Sequence, residues 1–323
     1  MPSETTGELI VAKPSQNPAK PHTNLQILLF VIALCFTSAF LLAVIAFALK
    51  KPQEEAAEFD RSKQLLIATK ILSYNQTFQI LQNSTLTPAQ FDPSTQLLVP
   101  TEDPPKASDE EIKTISTLRI RPLLTDSQGA VYSFEKKGIN LQDYLTTNKK
   151  YGYADLPLKL FYAILPNAAA SATTTASDLA TDLAGATSFV IPVSGNGLWG
   201  PVYGYIALES NGDTVLGTTW YEQAETPGLG ANIDTSWWQK QFFGKVVFQQ
   251  SPEGTTDFKT APMGILVVKG RVLDRLGTSP RANSAVDGIS GATLTGDGVT
   301  AAYQDSLTPY RALLTKINQE KNG

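Results

Sequence analysis

A long apolar run near the N-terminus constrains the fold more than any other feature of the sequence. Residues 27–49, ILLFVIALCFTSAFLLAVIAFAL, include no charged side chain. As a helix this run would extend about 35 Å, enough to cross the hydrocarbon core of a bilayer. Lys50-Lys51-Pro52 follows it where a signal sequence would have a small-residue cleavage site. We therefore predict an N-terminal tail over residues 1–24 and an uncleaved, single-pass transmembrane helix over residues 25–49.

The charges around this helix give a weak indication of its orientation. More basic residues follow the helix than precede it, beginning with Lys50 and Lys51, and a bare count would place the C-terminal side in the cytoplasm. That rule holds for short loops, and long domains are translocated largely regardless of their charge. The count therefore leaves the side of the membrane open.

The remainder of the chain divides by composition into three parts. Residues 50–74 have apolar side chains at helical spacing and predict an amphipathic helix leading from the membrane. Residues 75–187 form an insert-rich part of the soluble domain. Within it, the Pro- and Thr-rich residues 83–111 predict a loop with at most short strands, and the low-complexity residues 164–188 predict an exposed insert or linker. Residues 188–323 alternate as strands and then become helical, with a division at Pro309. The predicted fold is α+β, an antiparallel sheet flanked by helices behind one anchor.

Composition excludes several kinds of chemistry. The chain has one Cys, Cys35, inside the apolar run and one His, His22, in the polar tail. A Cys/His zinc cluster, a disulfide or a Ser-His or Cys-His pair cannot be assembled from these residues in the soluble part, so we predict no metal site and no catalytic side chain of these kinds. A net charge of -4 gives no footprint for nucleic acid. Any chemistry must therefore come from a bound cofactor or from carboxylates.

A glycine pattern at residues 195–200, GNGLWG, matches the dinucleotide-binding G-x-G-x-x-G motif. That motif requires a helix to open at its third glycine. Here Pro201 is followed by VYGYIALE, which alternates like a strand. The pattern is better explained as a β-turn, in which Trp199 is poorly placed for a core and can line a pocket.

The stretch VDGISGATLTGDGV, residues 286–299, combines many glycines with several hydroxyl side chains. One interpretation is a loop whose hydroxyls cap the next helix. However, the hydroxyls outnumber the one cap that a helix needs, and Thr295 is predicted immediately before a helix start, which favours an anionic group. No Lys or Arg occurs between Ala282 and Tyr310 to compensate a free phosphate dianion. An esterified phosphate has one charge fewer, so a phosphodiester link is permitted, although spacing alone does not choose Thr295 over Thr293.

Three elements in the second half of the chain resemble those of a known family. DGISGATLT resembles the covalent flavin attachment motif of FMN-binding domains, and AETPGLGANI, from Ala224, resembles their Glu-Thr-Pro-Gly-Leu-Gly element. GNGLWGPVYGYIAL is similar to the Gly-Leu-Trp element of the C subunit of the sodium-translocating NADH:quinone reductase. The resemblance covers the anchor, the helix after it and the chain from about Ser188, and it suggests that residues 75–187 contain an insertion of this lineage.

This resemblance implies a cofactor and the residues that hold it. FMN would be attached to Thr295 by a phosphoester bond, with Ser290 and Thr293 hydrogen-bonding around the phosphate. Glu225 and Thr226 would make polar contacts to the flavin or order their loop, and residues 228–230 would approach the flavin ring closely. The implied cofactor-binding residues are Trp199, Glu225, Thr226, Gly228, Leu229, Gly230, Ser290, Gly291, Ala292, Thr293, Leu294 and Thr295.

The same resemblance implies an electron-carrying subunit of an NADH:ubiquinone oxidoreductase that transports sodium. Its partners would be an iron-sulfur subunit, a second covalent-FMN subunit, a flavin transferase and the lipid bilayer, with the soluble domain on the periplasmic side of the inner membrane. The charge count points to the opposite side. Two alternatives are the flavoprotein subunit of an Rnf-type complex, which shares the attachment motif, and a membrane-anchored binding module without a cofactor. A serine hydrolase based on Ser290 lacks a histidine in the soluble part.

Overall fold

The computed structural model describes residues 23–82 and 85–322. The chain divides into two compact units, residues 1–56 and residues 57–323. Most of the predicted N-terminal tail over residues 1–24, including His22, lies outside the described residues. The second unit contains every strand of the described chain.

The first helix, α1, runs from Asn24 to Ala68. In the described part of the chain it alone is long and apolar enough to cross a membrane. The segment predicted as an amphipathic helix leading from the membrane, residues 50–74, is helical as far as Ala68, because α1 continues through Pro52 and ends there. A proline removes one helical hydrogen bond, but good helix formers follow Pro52, and Lys50–Glu54 and Lys51–Glu55 pairs at 4.0 and 3.9 Å surround it. The helix ends where Lys70 adopts a left-handed φ of 60°.

The other elements follow in chain order. The strands are β1 (Phe78–Gln82), β2 (Thr85–Asp92), β3 (Leu97–Pro100), β4 (Ile120–Thr125), β5 (Val131–Tyr132), β6 (Lys159–Ile164), β7 (Ser188–Asn196), β8 (Pro201–Glu209), β9 (Val215–Glu222), β10 (Leu266–Val268) and β11 (Ala285–Asp287). The helices are α2 (Asp109–Arg119), α3 (Phe134–Lys137), α4 (Leu141–Asn148), α5 (Ala176–Thr181), α6 (Ser236–Gln239), α7 (Val272–Leu276), α8 (Thr293–Leu307) and α9 (Arg311–Asn322).

A six-stranded antiparallel sheet, in the order β5-β4-β6-β7-β8-β9, forms the centre of the second unit. Successive side chains along a strand point to opposite faces of the sheet, so each strand contributes alternately to two hydrophobic cores. In β7, Phe189 and Ile191 face the core that contains α8 and α9, whereas Val190 faces the core that contains the end of α1. Both faces of the sheet are therefore buried, and the predicted α+β class is confirmed.

The stretch over residues 83–111, predicted as a loop with at most short strands, contains more regular structure than expected. β1, β2 and β3 form an antiparallel sheet, and β2 is eight residues long. Phe78, Ile80 and Ala89 from this sheet are buried in the core beside the end of α1. The predicted exposed insert over 164–188 also contributes to a core, because Leu179 of α5 is buried. Alternating Thr and apolar residues form strands here because their apolar side chains have a core to cover.

The two C-terminal helices confirm the predicted division at Pro309. A short 3₁₀ turn over Thr308–Tyr310 separates α8 from α9. Helix α8 packs along β7, where Ser306 Oγ accepts from the backbone N–H of Ser194 at 3.0 Å. Closer to the start of α8, the Tyr303 hydroxyl lies 2.7 Å from the Thr218 hydroxyl on β9. These contacts fix where the first turn of α8 lies relative to the sheet.

Candidate functional site

Thr295 lies within the first turn of α8, whereas the sequence prediction placed it immediately before the helix. The helix begins at Thr293 because the N–H of Gly296 already bonds to the carbonyl of Ala292 at 2.9 Å. No side chain caps this helix start. The first-turn N–H groups therefore present the positive end of the helix dipole without a protein acceptor among the described residues.

The hydroxyl of Thr295 donates a hydrogen bond to the carboxylate of Glu225, with Oγ1 and Oε2 2.5 Å apart. The second oxygen of that carboxylate accepts from the backbone N–H of Trp199 at 2.9 Å. Thr295 is 2% exposed and Glu225 is 5% exposed. All three predicted motifs thus meet at one buried hydrogen-bonded group, since Trp199, Glu225 and Thr295 each come from a different motif.

The environment of Glu225 stabilises its ionised form. Burial alone would raise the pKa of the Glu225 carboxyl, but hydrogen bonds from the Thr295 hydroxyl and the backbone N–H groups of Trp199 and Leu198 outweigh it and lower the pKa below its usual value. None of the ion pairs found among residues 23–82 and 85–322 involves Glu225. The carboxylate is therefore held by hydrogen bonds and not by a cation.

Two glycines leave the space that Glu225 and Thr295 occupy. A Cβ at Gly230 would lie 2.5 Å from Thr295 Oγ1 and 2.8 Å from Glu225 Oε2. A Cβ at Gly197 would lie 2.5 Å from Glu225 Oε1. Gly197 belongs to the GNGLWG pattern, and Gly195 of the same pattern packs against Ala302 of α8, where a Cβ would lie 2.5 Å from the Ala302 Cβ. The structure thus supports the rejection of a dinucleotide loop, because β8 and not a helix follows this turn.

The loop over residues 226–230 covers Thr295 and presents apolar side chains to solvent. The indole N–H of Trp199 donates to the hydroxyl of Thr226 at 3.1 Å, although the Trp199 side chain is exposed. Leu229 lies against Gly291, where a Cβ would come within 2.9 Å of a Leu229 methyl group. Gly228 and Gly291 both have φ near 77°, which favours glycine. Leu229 and Leu294 are exposed.

The Gly-rich loop before α8 borders a cavity of about 590 Å³. Ser290, Gly291, Ala292 and Thr293 line it, but Thr295 does not. Ser290 and Thr293 are exposed, and their hydroxyls have no hydrogen-bond partner among the described residues. The structure therefore separates the two threonines: Thr293 faces the cavity, whereas Thr295 is buried against Glu225.

Basic side chains near this loop were missed by the sequence reasoning. Lys269, Arg271 and Arg275 line the same cavity, although the motif itself contains no Lys or Arg. They are brought there because β10, which precedes them, pairs in parallel with β11, which precedes the motif. Lys269 Nζ lies 3.6 Å from Asp297 Oδ2, and Arg271 Nε lies 2.9 Å from Asp274 Oδ2. In the sequence these basic residues are indicated only by the run VVKGR, residues 267–271. The run can be placed beside the Gly-rich loop only once β10 is known to pair with β11.

The sequence from Gly197 to Thr308, which includes all of these contacts, matches the family model of the FMN-binding domain. An N-terminal helix long and apolar enough to cross a membrane, followed by such an α+β domain, fits the class of membrane-anchored proteins with an FMN-binding domain. Relatives identify the particular family. The C subunit of the Na(+)-translocating NADH-quinone reductase of Chlamydia caviae is 44% identical over 316 residues, covering 96% of this chain and 99% of the relative. The same subunit of Chlamydia trachomatis is 45% identical over 295 residues, covering 91% and 93%.

The chain belongs to the family of the C subunit of the Na(+)-translocating NADH-quinone reductase, an oxidoreductase complex. This decides against the Rnf-type alternative and against a binding module without a cofactor. The segment over residues 75–187 is shared with the Chlamydia relatives, whereas the Vibrio campbellii subunit is 42% identical over 114 residues, 35% of this chain and 38% of that relative. A crystal structure of the C subunit from Parabacteroides distasonis is 26% identical, with a TM-score of 0.44 over 65% of this chain and 86% of that one.

Proposed function

We propose that this chain carries FMN on Thr295 through a phosphoester bond and is the electron-carrying subunit of a sodium-translocating NADH:quinone oxidoreductase. One observation carries the assignment to Thr295. Within the matched FMN-binding domain, the Thr295 hydroxyl donates a hydrogen bond to the buried, ionised carboxylate of Glu225. An activated hydroxyl of this kind is what a side chain needs to become the oxygen of an ester.

The residues around Thr295 fit the phosphate of FMN. The uncapped start of α8 offers N–H groups to an anion, and a phosphodiester bears one negative charge that the helix dipole favours. Ser290 and Thr293 have free hydroxyls on the adjoining loop. Lys269, Arg271 and Arg275 supply positive charge beside that loop, although two of them are already paired with acids. The site thus compensates one negative charge without a dedicated salt bridge.

The exposed apolar side chains fit the flavin ring. Trp199, Leu229 and Leu294 lie at or next to the residues that contact Thr295, and each exposes apolar surface. Gly228 adds no side chain, so the loop backbone can approach a flat ring. Aromatic and aliphatic surfaces are the usual partners of such rings, with a few polar groups fixing orientation. Gly230 is buried against Glu225 and Thr295, so we assign it to the attachment point and not to the ring.

The redox chemistry belongs to the cofactor. When bound, FMN supplies one-electron transfer, here between an iron-sulfur subunit and a second covalent-FMN subunit on the path from NADH to ubiquinone. The chain's own residues attach the flavin, orient it and set the polarity around it. We further propose that a flavin transferase attaches the FMN, that α1 anchors the protein in the inner membrane, and that the domain lies on the periplasmic side.

A set of threonine variants tests the attachment site. We expect Thr295→Ala, expressed with a flavin transferase, to lose in-gel flavin fluorescence after denaturation while its far-UV circular dichroism matches that of the parent chain. Thr308→Ala, which removes an exposed hydroxyl at the C-terminal end of α8, is the matched control and should keep its fluorescence, and Thr293→Ala tests the neighbouring hydroxyl. Fluorescence that persists in Thr295→Ala and disappears in Thr293→Ala would transfer the assignment to Thr293.

A further inference from the structure

We propose that Glu225 is the general base for FMN attachment, taking the proton of Thr295 as its hydroxyl oxygen forms the ester. This inference rests on the proposed attachment at Thr295 and adds a catalytic role within the acceptor protein itself. A threonine hydroxyl is a weak nucleophile until an adjacent base accepts its proton. Thr295 Oγ1 and Glu225 Oε2 are 2.5 Å apart, within the distance that direct proton transfer requires.

The carboxylate is held in the orientation that this role needs. The Trp199 N–H binds Oε1, which leaves Oε2 directed at Thr295. Gly197 and Gly230 pack so closely on the carboxylate that it has little room to rotate away. The hydrogen bonds that lower the pKa of Glu225 keep its carboxylate ionised and able to accept a proton, and none of the described ion pairs involves it. The site therefore presents an oriented, ionised acceptor to one hydroxyl.

The same geometry explains a choice between two threonines. Thr293 is exposed beside the cavity and more accessible than Thr295, but no carboxylate accepts its hydroxyl proton in the described chain. Thr295 is 2% exposed and has a base. Attachment at Thr295 therefore requires activation by Glu225 to outweigh poorer access, and residues 226–230 must move aside for the donor to reach Oγ1.

The group-transfer step balances with one co-reactant. Loss of hydroxide from FMN itself would be unfavourable, so the donor must be an FMN activated as a phosphoric anhydride, of the flavin dinucleotide class. Thr295 Oγ1 forms a bond to the FMN phosphorus, and the anhydride P–O bond breaks. The leaving nucleoside monophosphate takes the bonding electron pair. The hydroxyl proton passes to Glu225 Oε2 and then to solvent, and no electrons are exchanged with a redox partner.

The test measures covalent attachment to the full-length chain in detergent, with excess flavin transferase and flavin dinucleotide. Intact mass and in-gel fluorescence follow the adduct with time, and peptide mapping locates it. Glu225→Gln keeps the shape and an acceptor oxygen but removes the base. Glu222→Gln is the matched control, because it removes the same charge from an exposed residue that pairs with Lys149. We expect attachment to Glu225→Gln to be about 100-fold slower or more, and attachment to Glu222→Gln to be unchanged.

Chemical rescue separates a base from a merely structural role. Glu225→Gly leaves space beside Thr295, and we expect formate to restore its attachment in proportion to formate concentration, with chloride as the inactive control. Equal rates for Glu225→Gln and the parent chain, with the adduct on Thr295, would overturn the proposal for Glu225 and leave the proposed function intact. An adduct mapped to another residue of the parent chain would instead contradict the proposed function.

Discussion

The hydroxyl of Thr295 and the carboxylate of Glu225 are joined by a 2.5 Å hydrogen bond across 70 residues of sequence. This bond connects the loop after β9 to the first turn of α8, with the Trp199 backbone completing the group. Contact with the flavin, or ordering of the loop, stays a prediction for Glu225. Its carboxylate bonds to the hydroxyl proposed to carry the flavin, so its substitution should affect attachment before it affects the ring.

Close packing at Gly230 predicts a destabilising alanine variant. A Cβ at this position would overlap Thr295 Oγ1 and Glu225 Oε2, so Gly230→Ala must displace one of them. We expect the free energy of unfolding to fall by about 1–3 kcal/mol, as in other overpacked sites. Urea denaturation followed by tryptophan fluorescence measures the change. Gly200→Ala is the control, because a Cβ there meets nothing within 4 Å, and equal stability of the two variants would contradict the packing described at Gly230.

The lowered pKa of Glu225 predicts a dependence of stability on pH. A carboxyl that is more acidic in the folded state than its usual 4.5 contributes stability above the usual value, and this contribution is lost as the pH falls through the folded pKa. The advantage of the parent chain over Glu225→Gln should therefore be present at pH 7 and shrink below about pH 4.5. Paired urea titrations at pH 7 and pH 4 check this. A difference that stays constant or grows on acidification would refute the ionised state of Glu225.

The buried Lys70 predicts a stabilising substitution. Burial, and after it the charge of Lys240, lowers the pKa of Lys70 to about 8 from 10.5. The folded state therefore disfavours the charged form of Lys70, which the unfolded chain retains up to about pH 10.5. The loss of stability that this causes is complete below pH 8 and disappears as the pH rises towards 10.5. Lys70→Met should raise the free energy of unfolding at pH 7 by roughly 1–3 kcal/mol, with a smaller gain at pH 10.

Lys150→Met serves as the matched control for Lys70→Met, since Lys150 is exposed and forms none of the ion pairs found in the described chain. Its stability should stay within about 0.5 kcal/mol of the parent value at both pH values. If Lys70→Met is less stable than the parent at pH 7, then Lys70 is compensated by its surroundings and the cost assigned to its burial is wrong.

The exposed indole of Trp199 predicts a spectroscopic effect without loss of attachment. Trp199→Ala removes an aromatic surface proposed to lie beside the flavin and leaves the Trp199 backbone N–H free to bind Glu225. We expect the covalent adduct to form normally and the flavin fluorescence of the native protein to rise, because a nearby indole quenches it. Trp199→Phe should give an intermediate value. Unchanged native fluorescence in Trp199→Ala would place the ring away from residue 199.

The sequence predicted the features that depend on neighbouring residues. The apolar helix, the strands β7, β8 and β9 and the helix break at Pro309 follow from local periodicity, and the structure confirms them. Residues 245–250, which alternate like a strand, form only isolated bridges. The sequence did not predict the approach of Lys269 to the Gly-rich loop, because that approach depends on the parallel pairing of β10 with β11. The sequence also did not predict the hydrogen bond between Thr295 and Glu225, because it joins residues that are 70 positions apart.

Intact mass of the denatured full-length chain, expressed with an active flavin transferase, tests the proposed covalent flavin most directly. A mass increase equal to FMN less water, mapped by peptide analysis to Thr295, is the predicted result. An unmodified mass would contradict the proposal, provided that a control acceptor is flavinylated in the same cells. An adduct on any residue other than Thr295 would contradict it equally.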